Sequence, residues 1–179
     1  MHDWRVVDRN GVGMEWSVEK WKGEVDRAVM SVGLSKWKND MERKTTLEWY
    51  REKKVPGYER WYDGSLGGDL LFRARAQCMD VNARNYRWSE SRSKVCEMCE
   101  MGEDETVVHV VLECEKYDRE RMNMMRVVLT EMGCEMNEVV EKSGREGMVL
   151  LLGLCQETNE RMIEAVKEFL ERMWSTRVS

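Results

Sequence analysis

Four residues constrain this chain more than any others: Cys96, Cys99, His109 and Cys114, spaced C-x2-C-x9-H-x4-C. Three thiols and one imidazole are a standard closed ligand set for structural zinc, which takes four donors in a tetrahedron. The CxxC spacing lets one tight turn aim both sulfurs at one point. Gly102 follows and lets the chain bend back. Only two histidines occur in the 179 residues, and one falls inside this window. Two other readings stand beside zinc: a redox CxxC, and buried thiols with a core histidine in the apolar Val108-His109-Val110 setting. A thioredoxin-like redox site wants a βαβ context, which the pattern does not show. Four ligands leave no open coordination position, so the expected role is structural rather than catalytic. Five residues are about 140° round an ideal helix. His109 and Cys114 therefore cannot share one straight helical face, and a local irregularity is expected at Glu113-Cys114.

A staple matters here because the core is thin. Leu, Ile, Val and Phe number 36, a fifth of the chain, which is the border below which chains tend to stay disordered. Fifteen Met and eight Trp add to what can be buried, yet a core this small usually needs a metal or another cross-link. The length suits one domain, or one domain with a small appendage. The longest uncharged apolar run, Met148 to Cys155, has eight residues. A membrane helix needs about 20, so none is expected. Met1-His2-Asp3-Trp4-Arg5 shows no apolar stretch of a secretory signal. The six cysteines are therefore expected in a reducing, intracellular compartment, nucleus or cytoplasm.

The hydrophobic pattern predicts a mainly α fold. Residues 1–13 read as a frayed terminus. Met14, Val18, Trp21, Val25, Val29 and Val32 fall on one helix face. Gly33 suits a helix end and Ser35 an N-cap, so 14–63 reads as a helical hairpin with Trp37, Met41 and Trp49 buried. Pro56-Gly57 and the run Gly64-Ser65-Leu66-Gly67-Gly68 read as breaks. Leu70, Leu71, Ala74, Cys78 and Val81 then recur at helical spacing, with Arg73 and Arg75 off that stripe. Residues 82–94 read as irregular. Thr106 to Leu112 is compatible with a β-branched strand, but Glu105-Thr106 as a start signal favours a helix. The segment 64–133 is thus a basic arm plus a Cys3His module, and 134–179 are C-terminal helices. There, Met162, Val166, Leu170 and Met173 form a stripe. Cys78, Cys134 and Cys155 read as small core residues.

The net charge of −5 argues against nucleic-acid binding by the whole surface. Its distribution argues otherwise. Between Arg73 and Val95 lie Arg73, Arg75, Arg84, Arg87, Arg92 and Lys94 against Asp80 and Glu90, a local charge of +4. From Cys96 to Arg121 the balance is −6. Either two solvated helix faces follow one another, or a phosphate-contacting arm sits beside a metal site. Trp88, between Arg87 and Arg92 and two residues from Tyr86, can stack on unpaired bases, or can pack beneath the metal loop as a lid. No Walker-type loop, G-x-S-x-G or Asp-Asp pair is present, so no catalytic residue is assigned and an enzyme is not expected.

Leu70-Leu-Phe-Arg-Ala-Arg, Asn82-Ala-Arg-Asn-Tyr-Arg-Trp, Cys96-Glu-Met-Cys-Glu, Glu105-Thr-Val-Val-His and Glu113-Cys-Glu-Lys-Tyr-Asp-Arg-Glu-Arg follow one another. Together they resemble the cysteine-rich C-terminal region of LINE-type non-LTR retrotransposon reverse transcriptases. Lys44-Thr-Thr-Leu-Glu-Trp-Tyr is similar to the helical segment before that region, and the resemblance spans residues 34–125. It implies a zinc-binding region that helps hold template RNA or target DNA. Cys96, Cys99, His109 and Cys114 match the family's ligand pattern; Arg73, Arg75, Arg84 and Arg87 match its basic positions less strictly. The polymerase's catalytic aspartates are missing, so the resemblance implies descent without polymerase activity. A competing reading is a helical interaction module whose 14–32 stripe pairs with a partner helix, with zinc purely structural. A third is retroelement debris without a selected function.

Overall fold

The computed structural model describes residues 5–7, 13–15, 17–52, 61–133, 144–156 and 158–177. Its described residues are mainly helical. Backbone contacts group the chain into two compact units, Met1–Arg43 and Lys44–Ser179. The boundary thus falls at the end of a helix rather than in the 56–64 region. Pro56-Gly57 and Cys134 lie outside the described residues.

In the first unit, strands β1 (Arg5–Val7) and β2 (Gly13–Glu15) pair antiparallel, with Val6 opposite Met14. This corrects the frayed terminus expected over 1–13 and removes Met14 from the helical stripe. The missed sequence signal is β-branched Val6-Val7. Helix α1 then runs without interruption from Val18 to Arg43. The expected hairpin of two helices meeting at Gly33 is therefore one helix. A lone glycine costs a helix interior only about 1 kcal/mol, which its neighbours absorb. Ser35 caps nothing; its hydroxyl donates back to the Ser31 carbonyl at 3.0 Å. Of the three residues expected buried from this stretch, Met41 and Trp49 are buried and Trp37 is half-buried.

The second unit begins with 3-10 turns over Thr45–Glu52, broken at Leu47. Helix α2 (Leu66–Arg75) starts at Ser65, whose hydroxyl accepts from Gly68 N at 3.0 Å. Gly67 and Gly68 are thus inside the first turn rather than a break. The helix stops at Arg75, short of Cys78, which is exposed rather than in the core. A short helix, α3 (Asn82–Arg87), occupies half of the stretch expected to be irregular. Helices α4 (Asp118–Met132), α5 (Gly144–Leu151) and α6 (Glu160–Arg177) complete the unit. Gly133 takes the left-handed conformation that ends α4.

The core is built around α6, which packs against both α4 and α2. Its predicted stripe of Met162, Val166, Leu170 and Met173 is fully buried. Arg75 contradicts the expectation of a displayed guanidinium: it is 1% exposed. Its Nε donates at 2.7 Å to the Leu152 carbonyl, just past the end of α5. A buried charged donor on an orphan carbonyl is worth more than a neutral one, which is why an arginine tolerates this place. No helix of the described residues is long and apolar enough to cross a membrane.

Candidate metal centre

The ligand loop is held by a short ladder. Val95 bridges Asp104, Cys96 N donates to Glu103 O at 2.9 Å, and Glu105 N donates to Lys94 O at 2.7 Å. These bonds fold 97–102 into a tight turn, with Gly102 at φ +73° as the bend requires. Thr106 then opens the helical stretch by accepting from His109 N at 3.0 Å, the start expected from Glu105-Thr106. From His109 to Glu113 the backbone is a π turn. Cys114 N donates to His109 O at 2.7 Å, closing an i→i+5 ring. That wide turn brings residues five apart back to one side. It is the irregularity that the His109–Cys114 spacing demands.

The four side chains converge. One ligand atom from each of Cys96, Cys99, His109 and Cys114 lies within 4.8 Å of all the others. Cys96 Sγ is 3.9 Å from Cys114 Sγ, and Cys99 Sγ is 3.4 Å from His109 Nε2. A tetrahedral ion with metal–sulfur bonds near 2.3 Å and metal–nitrogen near 2.0 Å sets its ligand atoms roughly 3.5–3.8 Å apart. The spacings fit such an ion, and the cluster could hold a metal. Cys96, His109 and Cys114 are buried and Cys99 is half-buried. Burial raises the Cys96 thiol above its ordinary range and pushes Cys114 up to about 12, with the neighbouring thiols adding to the shift. A cation bound by these thiols would take the place of their protons.

Three residues outside the ligand set shape the centre, and the sequence pattern assigned none of them a role beside the metal. Glu113 places Oε2 3.5 Å from His109 Nδ1, near the ring but not hydrogen-bonded to it, and the buried Nδ1 has no hydrogen-bond partner among the described residues. Arg121 closes the end of the π turn, donating to the Val111 carbonyl at 2.9 Å and the Cys114 carbonyl at 2.6 Å. Glu105 is completely buried. It accepts from Asn82 N at 2.7 Å, lies 3.7 Å from Cys96 Sγ, and pairs with Arg177 from the last turn of α6. Glu105, Glu113 and Arg121 all stand within the run that carries the resemblance. Arg177 is 72 residues from Glu105 and carries no local signal.

The basic arm divides. Arg75 is in the core, away from solvent. Arg73 pairs with Asp69 at 2.8 Å on α2. Arg84 is half-buried, hydrogen-bonded to Asn85 and 3.7 Å from Glu90. Lys94 lies 3.9 Å from Asp104 and over the Tyr86 ring. Tyr86, Arg87, Trp88 and Arg92 are exposed. Trp88 is 70% exposed, so it is not a lid packed beneath the metal loop. Comparison with protein-family models, curated proteins and solved structures returns no match.

Proposed function

We propose that this chain is a zinc-stapled module that binds single-stranded nucleic acid, without catalytic activity, and that it descends from the C-terminal region of a LINE-type reverse transcriptase. Zinc is the ion best matched to a Cys3His set in a closed tetrahedron. With three thiolates the loaded centre carries a charge of −1, so the ion itself does not attract phosphate. Its role is to hold the ladder from which the preceding segment projects. The observation that carries the reading is Trp88. Leaving so large an apolar side chain in water gives up burial worth a few kcal/mol, and here it stands between exposed Arg87 and Arg92. An exposed indole with exposed arginines close to it in sequence offers a stacking platform for unpaired bases and cations for their phosphates. Arg87 and Arg92, with Arg84 and Lys94 at the margin, form the phosphate contacts; Arg75 takes no part.

The test uses the zinc-loaded protein and fluorescence anisotropy with single-stranded RNA, single-stranded DNA and duplex DNA at several salt concentrations. Single strands are expected to bind more tightly than duplex, with affinity falling steeply as salt rises. Arg87→Ala should weaken binding and lower the salt slope by roughly 0.7 per lost phosphate contact. Trp88→Ala should cost about 1–3 kcal/mol and leave the slope unchanged. A folded protein loaded with one zinc that binds no strand at low salt refutes the reading.

A further inference from the structure

Among the described residues, one face of α1 is exposed. Val18, Trp21, Val29 and Val32 are 55–70% exposed and Val25 is 36% exposed, although the pattern would bury them. On the opposite face Leu34 and Trp37 are half-buried and Met41 is buried, so the helix has two apolar stripes of different fate. The exposed stripe follows a heptad. Val18, Val25, Val32 and Asn39 stand seven residues apart, at the a positions of one register. Trp21, Ala28 and Ser35 then fall at d, and Val29 flanks the seam at e.

We infer that α1 pairs with α1 of a second copy of this chain as a parallel two-stranded coiled coil, through Val18, Trp21, Val25, Val29 and Val32. Three features choose this occupant and this direction. Valine at a is the a-position half of the two-strand pattern, while d here holds Trp21, Ala28 and Ser35 in place of leucine. A single Asn at a fixes register, because in a parallel pair like faces like and the two Asn39 amides satisfy each other. The seam is apolar only from Val18 to Val32. A full-length antiparallel overlap would set Trp21 against Asn39 and Val18 against Glu42, whereas the parallel register sets valine on valine. The stripe offers roughly 500 Å² of apolar surface per copy, so the pair buries at most about 1,000 Å², below the ~1,200 Å² at which standard specific interfaces begin. Lys38 and Arg43, at g and the following e, face each other across the pair as like charges. The dimer is therefore weak and reversible, with dissociation in the micromolar range or above. The inference does not depend on the nucleic-acid reading.

Sedimentation equilibrium of the full zinc-loaded chain over a wide concentration range tests it. A concentration-dependent monomer–dimer equilibrium is expected. Val25→Asp should weaken it at least tenfold. Met30→Asp, exposed but off the seam, should leave it unchanged. Zinc content and far-UV circular dichroism of the monomer establish that each variant is folded. Amine cross-linking of mixed light and heavy isotopic copies reports direction: Lys22–Lys22 links mark the parallel pair, Lys22–Lys36 links an antiparallel one. A folded wild-type chain that stays monomeric at the highest concentration overturns the inference. Equal loss of association in both Asp variants, or antiparallel links, does so too.

Discussion

At the scale of single residues, the centre shows how a ligand spacing dictates backbone geometry. Five residues from His109 to Cys114 do not fit one face of an α-helix. The chain answers with a π turn, sealed by the Cys114 N–His109 O bond and by Arg121 on the Val111 and Cys114 carbonyls. This was legible in the sequence, because the need for four convergent ligands leaves few backbone solutions. The partners that tune the ligands were not, since an acid such as Glu105 looks like any other until its burial is known. The thiols carry a pH consequence. Burial holds Cys96 above its ordinary range and Cys114 up to about 12, so both are protonated at neutral pH in the metal-free chain. Loading must displace those protons, and metal affinity should climb with pH, by at least roughly a hundredfold per pH unit for the two protons that Cys96 and Cys114 release. Competition against a chromophoric chelator between about pH 6.5 and 8 checks this. A pH-independent affinity would show thiols already ionised. Without metal the sign reverses. A thiol whose folded pKa is raised stabilises the fold below its unfolded value near 8.5, and that contribution is lost as pH rises toward about 12.

At the scale of elements, periodicity located helices well and their ends badly. The α6 stripe was read correctly because four apolar residues at steps of 4, 4 and 3 leave only one face to bury. The break at Gly33 was misread because a glycine ends a helix only when the residues after it stop propagating, and those after Gly33 do not. The break at Gly67-Gly68 was misread for a different reason, which lies in packing. Gly67 N donates to Glu171 Oε1 at 2.7 Å, and a Cβ built there would come within 2.7 Å of Lys167 Cβ. The glycine lets the first turn of α2 touch α6. Lys167 is buried at the same contact and held by Asp63 at 2.9 Å and Glu164 at 2.7 Å. Burial lowers its pKa, but the two carboxylates outweigh that and keep it above the usual lysine range. Gly67→Ala should therefore push α2 and α6 apart and cost about 1–3 kcal/mol, despite alanine's better helix propensity. Thermal unfolding followed by circular dichroism should show a lower midpoint. An unchanged or higher midpoint would mean that the two helices have slack at this contact.

For the molecule as a whole, the metal module is not an appendage on the helices but part of their closure. The Glu105–Arg177 pair ties the ladder under the ligands to the last turn of the helix that organises the core. Glu105 also accepts from Asn82 N at the start of α3, so one buried carboxylate joins the metal loop, the arm that carries Trp88, and α6. In the loaded state Arg177 also offsets the negative charge that Glu105 adds beside the Cys96 thiolate. Removing either member of a buried pair leaves the other uncompensated, at a cost of about 3–5 kcal/mol. The charge run from Arg73 to Lys94 suggested the arm, and the ligand spacing suggested the staple. Their mechanical link was invisible, because it depends on a residue in a distant helix. That link predicts how the chain responds to losing its metal. Hydrogen exchange after chelation should quicken in the ligand loop and in α3. It should also quicken in the last turns of α6, far along the sequence, while α1, in the other compact unit, keeps its rate. Arg177→Ala in the metal-loaded protein should reproduce the α3 and α6 changes and weaken metal binding about 10–100-fold, as loss of an outer-shell partner does. Faster exchange confined to 95–114 would mean instead that the metal loop folds and melts on its own, leaving the arm to be positioned by the helices alone.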